Sequence, residues 1–221
     1  MIKKIGILVF VSILFSCKND QLHNSYIYFK EAQPENVKTI TSFPKKYLGS
    51  FNRDYAHQLR VTANCVLSIE TASYQTTEKE IGSFVAFDFK NNVVYDKDTQ
   101  KPLKTVIKND TISWETESVD TVFSFAENEV AKMYKSSLIL NKKVDDKYLV
   151  NVIKFNFSNN KYIQFGTKED FNLINSQLHI PFEAAIENSD TIFVVLQPNR
   201  ADFRKLLRLD GFKYERWYYF K

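Results

Sequence analysis

The sequence predicts a mainly β protein of α+β type. It should carry curled antiparallel sheets, as a sandwich or partly open barrel, with one amphipathic helix near the carboxy end. Three observations carry that prediction. Short runs of β-branched and aromatic residues alternate with clusters of Asn, Asp and Lys along most of the chain, the grammar of strands and turns. Helical periodicity is confined to two short stretches after residue 166. The 221 residues include only five glycines, fewer than a small closed barrel uses at its bends, which favours curled sheets over full closure.

In chain order, strands are expected over residues 26–30, 37–41, 47–52, 58–62, 65–74, 84–89 and 93–96. Others follow over 103–108, 111–116, 121–125, 137–141, 148–157 and 161–166. Ile112 and Trp114 alternate with Thr111, Ser113 and Glu115, the pattern of a strand with one buried face. The clearest hairpin joins Leu138, Ile139 and Leu140 to the run 149–153 across Asp145 and Asp146, whose side chains favour turns. Two segments, starting at Thr167 and Asn199, each place a capping residue first and an Asp three positions later, which suits a helix start. The second reads as the better helix, over 200–209, with Phe203, Leu206 and Leu207 on one face and Gly211 as the stop. Strands over 191–197 and 212–220 flank it.

Composition bounds the function. Hydrophobic residues make up 44% of the chain and aromatic ones 15%, ample for a packed core. The formal net charge is +4, and removal of residues 1–16 with Lys3 and Lys4 lowers it to +2. A field that weak, with signs interspersed, argues against nucleic acid. Cys17 and Cys65 are the two cysteines; with Cys17 acylated, Cys65 has no intramolecular partner and reads as a small buried hydrophobe.

The amino end supplies an address. Lys3 and Lys4 precede an apolar run from Ile5 to Leu14, too short to span a bilayer, and Leu14-Phe15-Ser16-Cys17 closes it. This stretch resembles the lipobox of bacterial lipoproteins, with Phe15 a departure from the usual residue there. The resemblance implies a signal peptide over residues 1–16, acylation of Cys17 as the first mature residue, and a lipidated tether over 17–25. Residues 26–221 then form a single β-rich domain, although a seam at 130–136 would divide it into halves. With Lys18 rather than Asp after Cys17, the resemblance implies the outer membrane, facing periplasm or cell surface. Lipid arithmetic agrees that two or three acyl chains anchor stably where one does not.

Few side-chain constellations point to chemistry. Gly49-Ser50-Phe51 resembles the Gly-x-Trp opening of lipocalin-like proteins, which implies a small apolar ligand between sheets, unless the aromatics simply fill the core. Asp96-Lys97-Asp98-Thr99-Gln100 has the acids of a calcium loop but lacks its Gly at Lys101 and its Glu at Ile107, so a solvated turn is expected. His23, His57 and His179 are dispersed, and no metal or other cofactor is expected. No nucleophile elbow occurs, and the expected catalytic set is empty. Asp-Thr-β-branched recurs at Thr111, Thr121 and Thr191 and resembles the O-glycosylation acceptor of some envelope proteins; ordinary turn-to-strand grammar explains it too. Arg200, Arg204 and Arg208 recur every fourth residue and would form one basic stripe, either for an acidic partner or as a solvated face. The expected function is non-catalytic binding of an envelope partner protein, an immunity role included, or of a small ligand. The alternative is a hydrolase of envelope glycans with a dispersed carboxylate pair.

Overall fold

The computed structural model describes residues 25–156, 159–188 and 190–220. Cys17, the signal segment and all of the tether except Ser25 lie outside them. The first half of the described chain runs β1 (Ile27–Phe29), β2 (Thr39–Ile40), β3 (Gly49–Asn52), β4 (His57–Val61), β5 (Cys65–Thr77), β6 (Phe87–Lys90), β7 (Val93–Asp96), β8 (Thr105–Lys108) and β9 (Thr111–Ser124). The second half runs β10 (Val130–Tyr134), β11 (Ser137–Val144), β12 (Lys147–Phe155), β13 (Asn160–Gln164), α1 (Lys168–Gln177), β14 (Phe182–Glu187), β15 (Asp190–Leu196), α2 (Arg200–Leu206) and β16 (Tyr214–Phe220).

The protein is mainly β with curled sheets. One large sheet follows the order β14-β15-β1-β12-β13-β16-β3-β4-β5-β9-β8, with β11, β10 and β2 branching from β12. Every pairing is antiparallel except β1 with β15, which is parallel. The sheet folds over on itself, so that Phe51, Leu59, Val66 and Phe123 of one half meet Leu138, Leu140, Ile153 and Tyr218 of the other. No ladder joins β9 to β10, so the barrel stays open.

Side-chain alternation in the middle strands sorts residues between two cores. Leu138 and Leu140 enter the inter-sheet core, whereas Ile139, Val150 and Val152 point to the opposite face. That second face is covered by the helices through Ile174, Phe203 and Leu206. Both faces of β11 and β12 are thus buried, which explains their near-continuous apolar run. Asp145, at φ 55°, makes the left-handed turn of the hairpin between them.

Both helices are capped as their sequences require. The Thr167 side chain accepts from the Asp170 amide at 3.1 Å, and the Asp170 carboxylate accepts from the Thr167 amide at 3.1 Å. Asn199 accepts from the amides of Ala201 and Asp202. Both segments expected to start helices form them, and α1, not the one read as the better helix, is the longer of the pair. Its apolar content is modest, so capping rather than periodicity marks it. The second helix also ends sooner than expected, at Leu206. Beyond it the amides of Arg208 and Leu209 reach back three residues, and the Lys154 ammonium caps the Leu207 carbonyl.

Three further departures have clear causes. The strands expected over 111–116 and 121–125 are one strand, β9, because its ladder with β5 continues through Glu117, Ser118 and Asp120, where pairing rather than burial holds the chain. The 130–136 seam holds strand β10, disguised by Lys132, whose ammonium is buried against the carbonyls of Ala32 and Pro34. Strand β14 has an edge position with nearly every residue exposed, so no burial pattern announces it. At the far end of the β5–β9 hairpin, Trp114 stacks on Tyr74 at 5.3 Å within a small separate core of Ile81, Phe87, Val94 and Ile112.

Candidate functional site

A cleft of about 300 Å³ opens at the rim of the inter-sheet core. It arises because the inward-facing positions of the strands turn polar toward the rim. On β11 the series Leu138, Leu140 continues to Lys142, and on β12 Ile153 is followed outward by Asn151 and Leu149. On β13 the same face presents Tyr162 and Gln164, the latter directly across from Asn151. The opposing wall holds Leu59, Ser68, Glu70, Asp120 and Val122, and Tyr218 joins the lining. Tyr162 and Tyr218 meet edge to face at 6.5 Å. Burial, reinforced by its neighbour Tyr218, pushes the Tyr162 phenol well above its ordinary range; burial also raises that of Tyr218.

Lys142 on the cleft is held in place by acidic partners. Lys142 reaches the buried Glu129 at 3.4 Å and Glu127 at 3.9 Å. Burial raises the Glu129 carboxyl above its usual range, against the pull of the Ser124 amide and of Lys142. Ladder register places Ser68 opposite both Leu59 and Asp120, and Glu70 opposite His57. Glu70 and Asp120 are therefore diagonal neighbours on one wall. Just outside, the His57 Nδ1 lies 2.8 Å from Asp54, and its Nε2 lies 4.0 Å from Glu70. The bond from His57, with help from Arg53 and the amides of Ala56 and His57, holds the Asp54 carboxyl far below the usual carboxylate range. Sequence reasoning sets His57 apart as isolated and misses its pairing with Asp54, for which the three-residue spacing is the available signal; its convergence on Glu70 depends on strand register.

The residues singled out by sequence lie elsewhere, with one exception. Arg200 sits over the Tyr134 ring at 5.6 Å, and Arg204 is exposed on α2. Arg208 lies past the helix end, so the three arginines do not form one helical stripe. The neighbouring acids pair with lysines: Asp202 with Lys205 at 3.8 Å, and Asp210 and Glu215 with Lys161. Thr111 and Thr121 are exposed and Thr191 is half-buried; all three stand in ladders, and Thr121 edges the cleft. Cys65 is half-buried rather than a core residue, with its sulfur 3.2 Å from the Thr62 hydroxyl. Phe51 is buried and packs on Phe155 at 5.9 Å, so the Gly-x-Phe aromatic fills the core. Asp96 accepts from the amide and hydroxyl of Thr99, each at 2.7 Å, which makes the acidic loop a turn closed on itself. Among the described residues no group of three or more His, Cys, Asp or Glu is placed to hold a metal. No protein-family model, curated protein or solved structure matches the chain.

Proposed function

We propose that this protein is a lipid-anchored envelope protein that binds a small ligand in the rim cleft without acting on it chemically. The observation that supports this reading is the lining: two tyrosine rings and the apolar Leu59 and Leu149, faced by the amides of Asn151 and Gln164 and the carboxylates of Glu70 and Asp120. Such a surface suits a compact molecule with several hydroxyls and one apolar face, of the kind a saccharide presents, because each ring covers carbon while the polar groups take hydroxyls. The core beneath is packed by Tyr47, Phe51 and Phe155, which confines a ligand to the rim. Titration of the isotope-labelled mature chain with envelope saccharides, read by NMR, should move resonances of Asn151, Tyr162 and Gln164. Asn151→Ala should weaken that binding, and saccharides that move only distant residues would remove the reading. Anchoring is tested separately: intact mass of the native protein should carry the acyl groups, and Cys17→Ser should lose them.

One observation favours a second reading, a glycan hydrolase. Diagonal neighbours on a ladder stand about 7–8 Å apart, and inverting hydrolases hold their two carboxyls about 6.5–9.5 Å apart. Glu70 and Asp120 are diagonal neighbours on one wall of the cleft, a placement from which two carboxyl groups can reach such a separation. The binding reading takes precedence because Glu70 leaves 63% of its side chain in solvent, whereas a general acid is ordinarily enclosed. Release of reducing ends from envelope glycans that is abolished by both Glu70→Gln and Asp120→Asn would reverse that order.

A further inference from the structure

We propose that the protein pairs with a second copy of itself through β14, in an antiparallel ladder about a two-fold axis at Ala184. Strand β14 ends the large sheet and pairs only with β15 among the described residues. Its outer side presents a row of backbone groups with no partner among the described residues, and proteins ordinarily protect such edges with charged side chains, lysine above all, with proline or with a bulge. The opposite edge follows that rule: β8 is short, ends in Lys108 and is preceded by Lys104. On β14 the sequence Phe-Glu-Ala-Ala-Ile-Glu holds no lysine and no proline; its two charges are Glu183, paired with Lys30 at 3.1 Å, and Glu187 at its end, and Pro181 only precedes it. The irregularity in its pairing with β15 falls on Ile192 of the partner strand, which leaves the alternation of β14 intact.

The side chains of that edge are complementary to their own copy. Phe182, Ala184 and Ile186 share one face, and Phe182 and Ile186 are 43% and 67% exposed. Phe171 of α1 extends the stripe, its ring 4.9 Å from that of Phe182. A two-fold axis at Ala184 sets Phe182 against Ile186 of the copy, Ala184 against Ala184, and Glu183 against Ala185, so no like charges are opposed. The neighbouring two-fold registers fail on charge. An axis at Glu183 sets that carboxylate against its own copy, and an axis at Ala185 sets Glu183 against Glu187; like charges directly opposite are destabilising. Of these three registers only the one centred on Ala184 keeps the glutamates apart while setting apolar side chains against apolar ones, and that complementarity points to a second copy as the occupant. This pairing is independent of what the cleft holds.

The mature chain, studied by sedimentation across a range of concentrations, should show a reversible dimer. Ile186→Lys acts twice per dimer and should raise the dissociation constant by about tenfold or more. Thermal unfolding at low concentration, where the protein is monomeric, controls for damage to the fold. Cross-linking reads the register. Directly opposed residues have Cα atoms about 4.5–5.5 Å apart, within disulfide range. In a Cys17→Ser, Cys65→Ser background, Ala184→Cys should therefore form an intermolecular disulfide readily, and Ala185→Cys should not. A chain that remains monomeric and unlinked overturns the proposal. So does a dimer insensitive to Ile186→Lys, or equal linking at 184 and 185. Dimerisation that emerges only after removal of residues 17–24 also overturns it, since the edge would then belong to the chain's own amino end.

Discussion

Asp170 offers the sharpest test of how the helical layer is fixed to the sheet. Its carboxylate accepts from the amide of Thr167 at 3.1 Å, closing the cap of α1, and from the amide of Lys213 at 2.7 Å, tying α1 to the segment that enters β16. The side chain is almost fully buried. Replacing it with Ala removes an acceptor in the capping box, worth about 1 kcal/mol. It also removes a charge-assisted bond to Lys213, worth about 1.5–3 kcal/mol. Because Lys213 itself is exposed, water can take over part of that second bond. The expected loss is about 2–3 kcal/mol, which for a domain of this size lowers the melting temperature by about 4–12 °C. Urea unfolding should show a lower midpoint with an unchanged slope. Asp170→Asn keeps an acceptor oxygen and should lose about half as much. A loss below about 0.5 kcal/mol, the ordinary surface range, or an Asn variant as damaged as the Ala variant, would refute the assignment of this carboxylate as the tie between α1 and β16.

Further outcomes follow from other buried positions. Phe203→Ala, at a fully buried position under the sheet, should cost about 3–5 kcal/mol in equilibrium unfolding. Asn141 is fully buried and accepts from the Gln33 amide at 2.6 Å while donating to the Gln33 and Val130 carbonyls; Asn141→Leu strands that amide and should cost about 1–3 kcal/mol by the same measurement. The Tyr162 phenol is held neutral by burial, so its folded pKa exceeds the unfolded one. Its contribution is complete below about pH 10 and declines as pH rises beyond that, where the unfolded chain ionises first. Unfolding measured across that range should fall more steeply for the wild type than for Tyr162→Phe, and equal slopes would contradict the burial of the phenol.

The parts of the fold that were legible share one property: their signal is local. Val93 to Asp96 reads as a strand from β-branched residues alone, and the structure makes it β7. The hairpin between β11 and β12 follows from apolar runs bounded by Asp145 and Asp146. Thr167 and Asp170 mark a helix start three residues apart. Illegible parts depend on partners distant in sequence. Lys132 masks β10 because its role is to hold the segment at Ala32 and Pro34, about a hundred positions upstream. Arg208 has helical spacing, but α2 ends before it, where the Lys154 ammonium of β12 caps the Leu207 carbonyl. For the cleft, Asp54 and His57 were within reach of a spacing argument, whereas Glu70, Asp120, Asn151 and Tyr162 have nothing in common until four strands curl together.

By itself the sequence determined the β class, the alternation that separates inward from outward side chains, the helix caps and the lipobox resemblance at Cys17. Each rests on interactions within a few residues, or on composition, and needs no knowledge of what packs where. Only the tertiary structure decided that β11 and β12 would be buried on both faces, that the arginines would part at the end of α2, and that a polar rim would gather Glu70 and Asp120 opposite Asn151 and Gln164. The physical reason is that strand pairing joins residues of any sequence separation, and a change of register by one position turns every side chain to the other face.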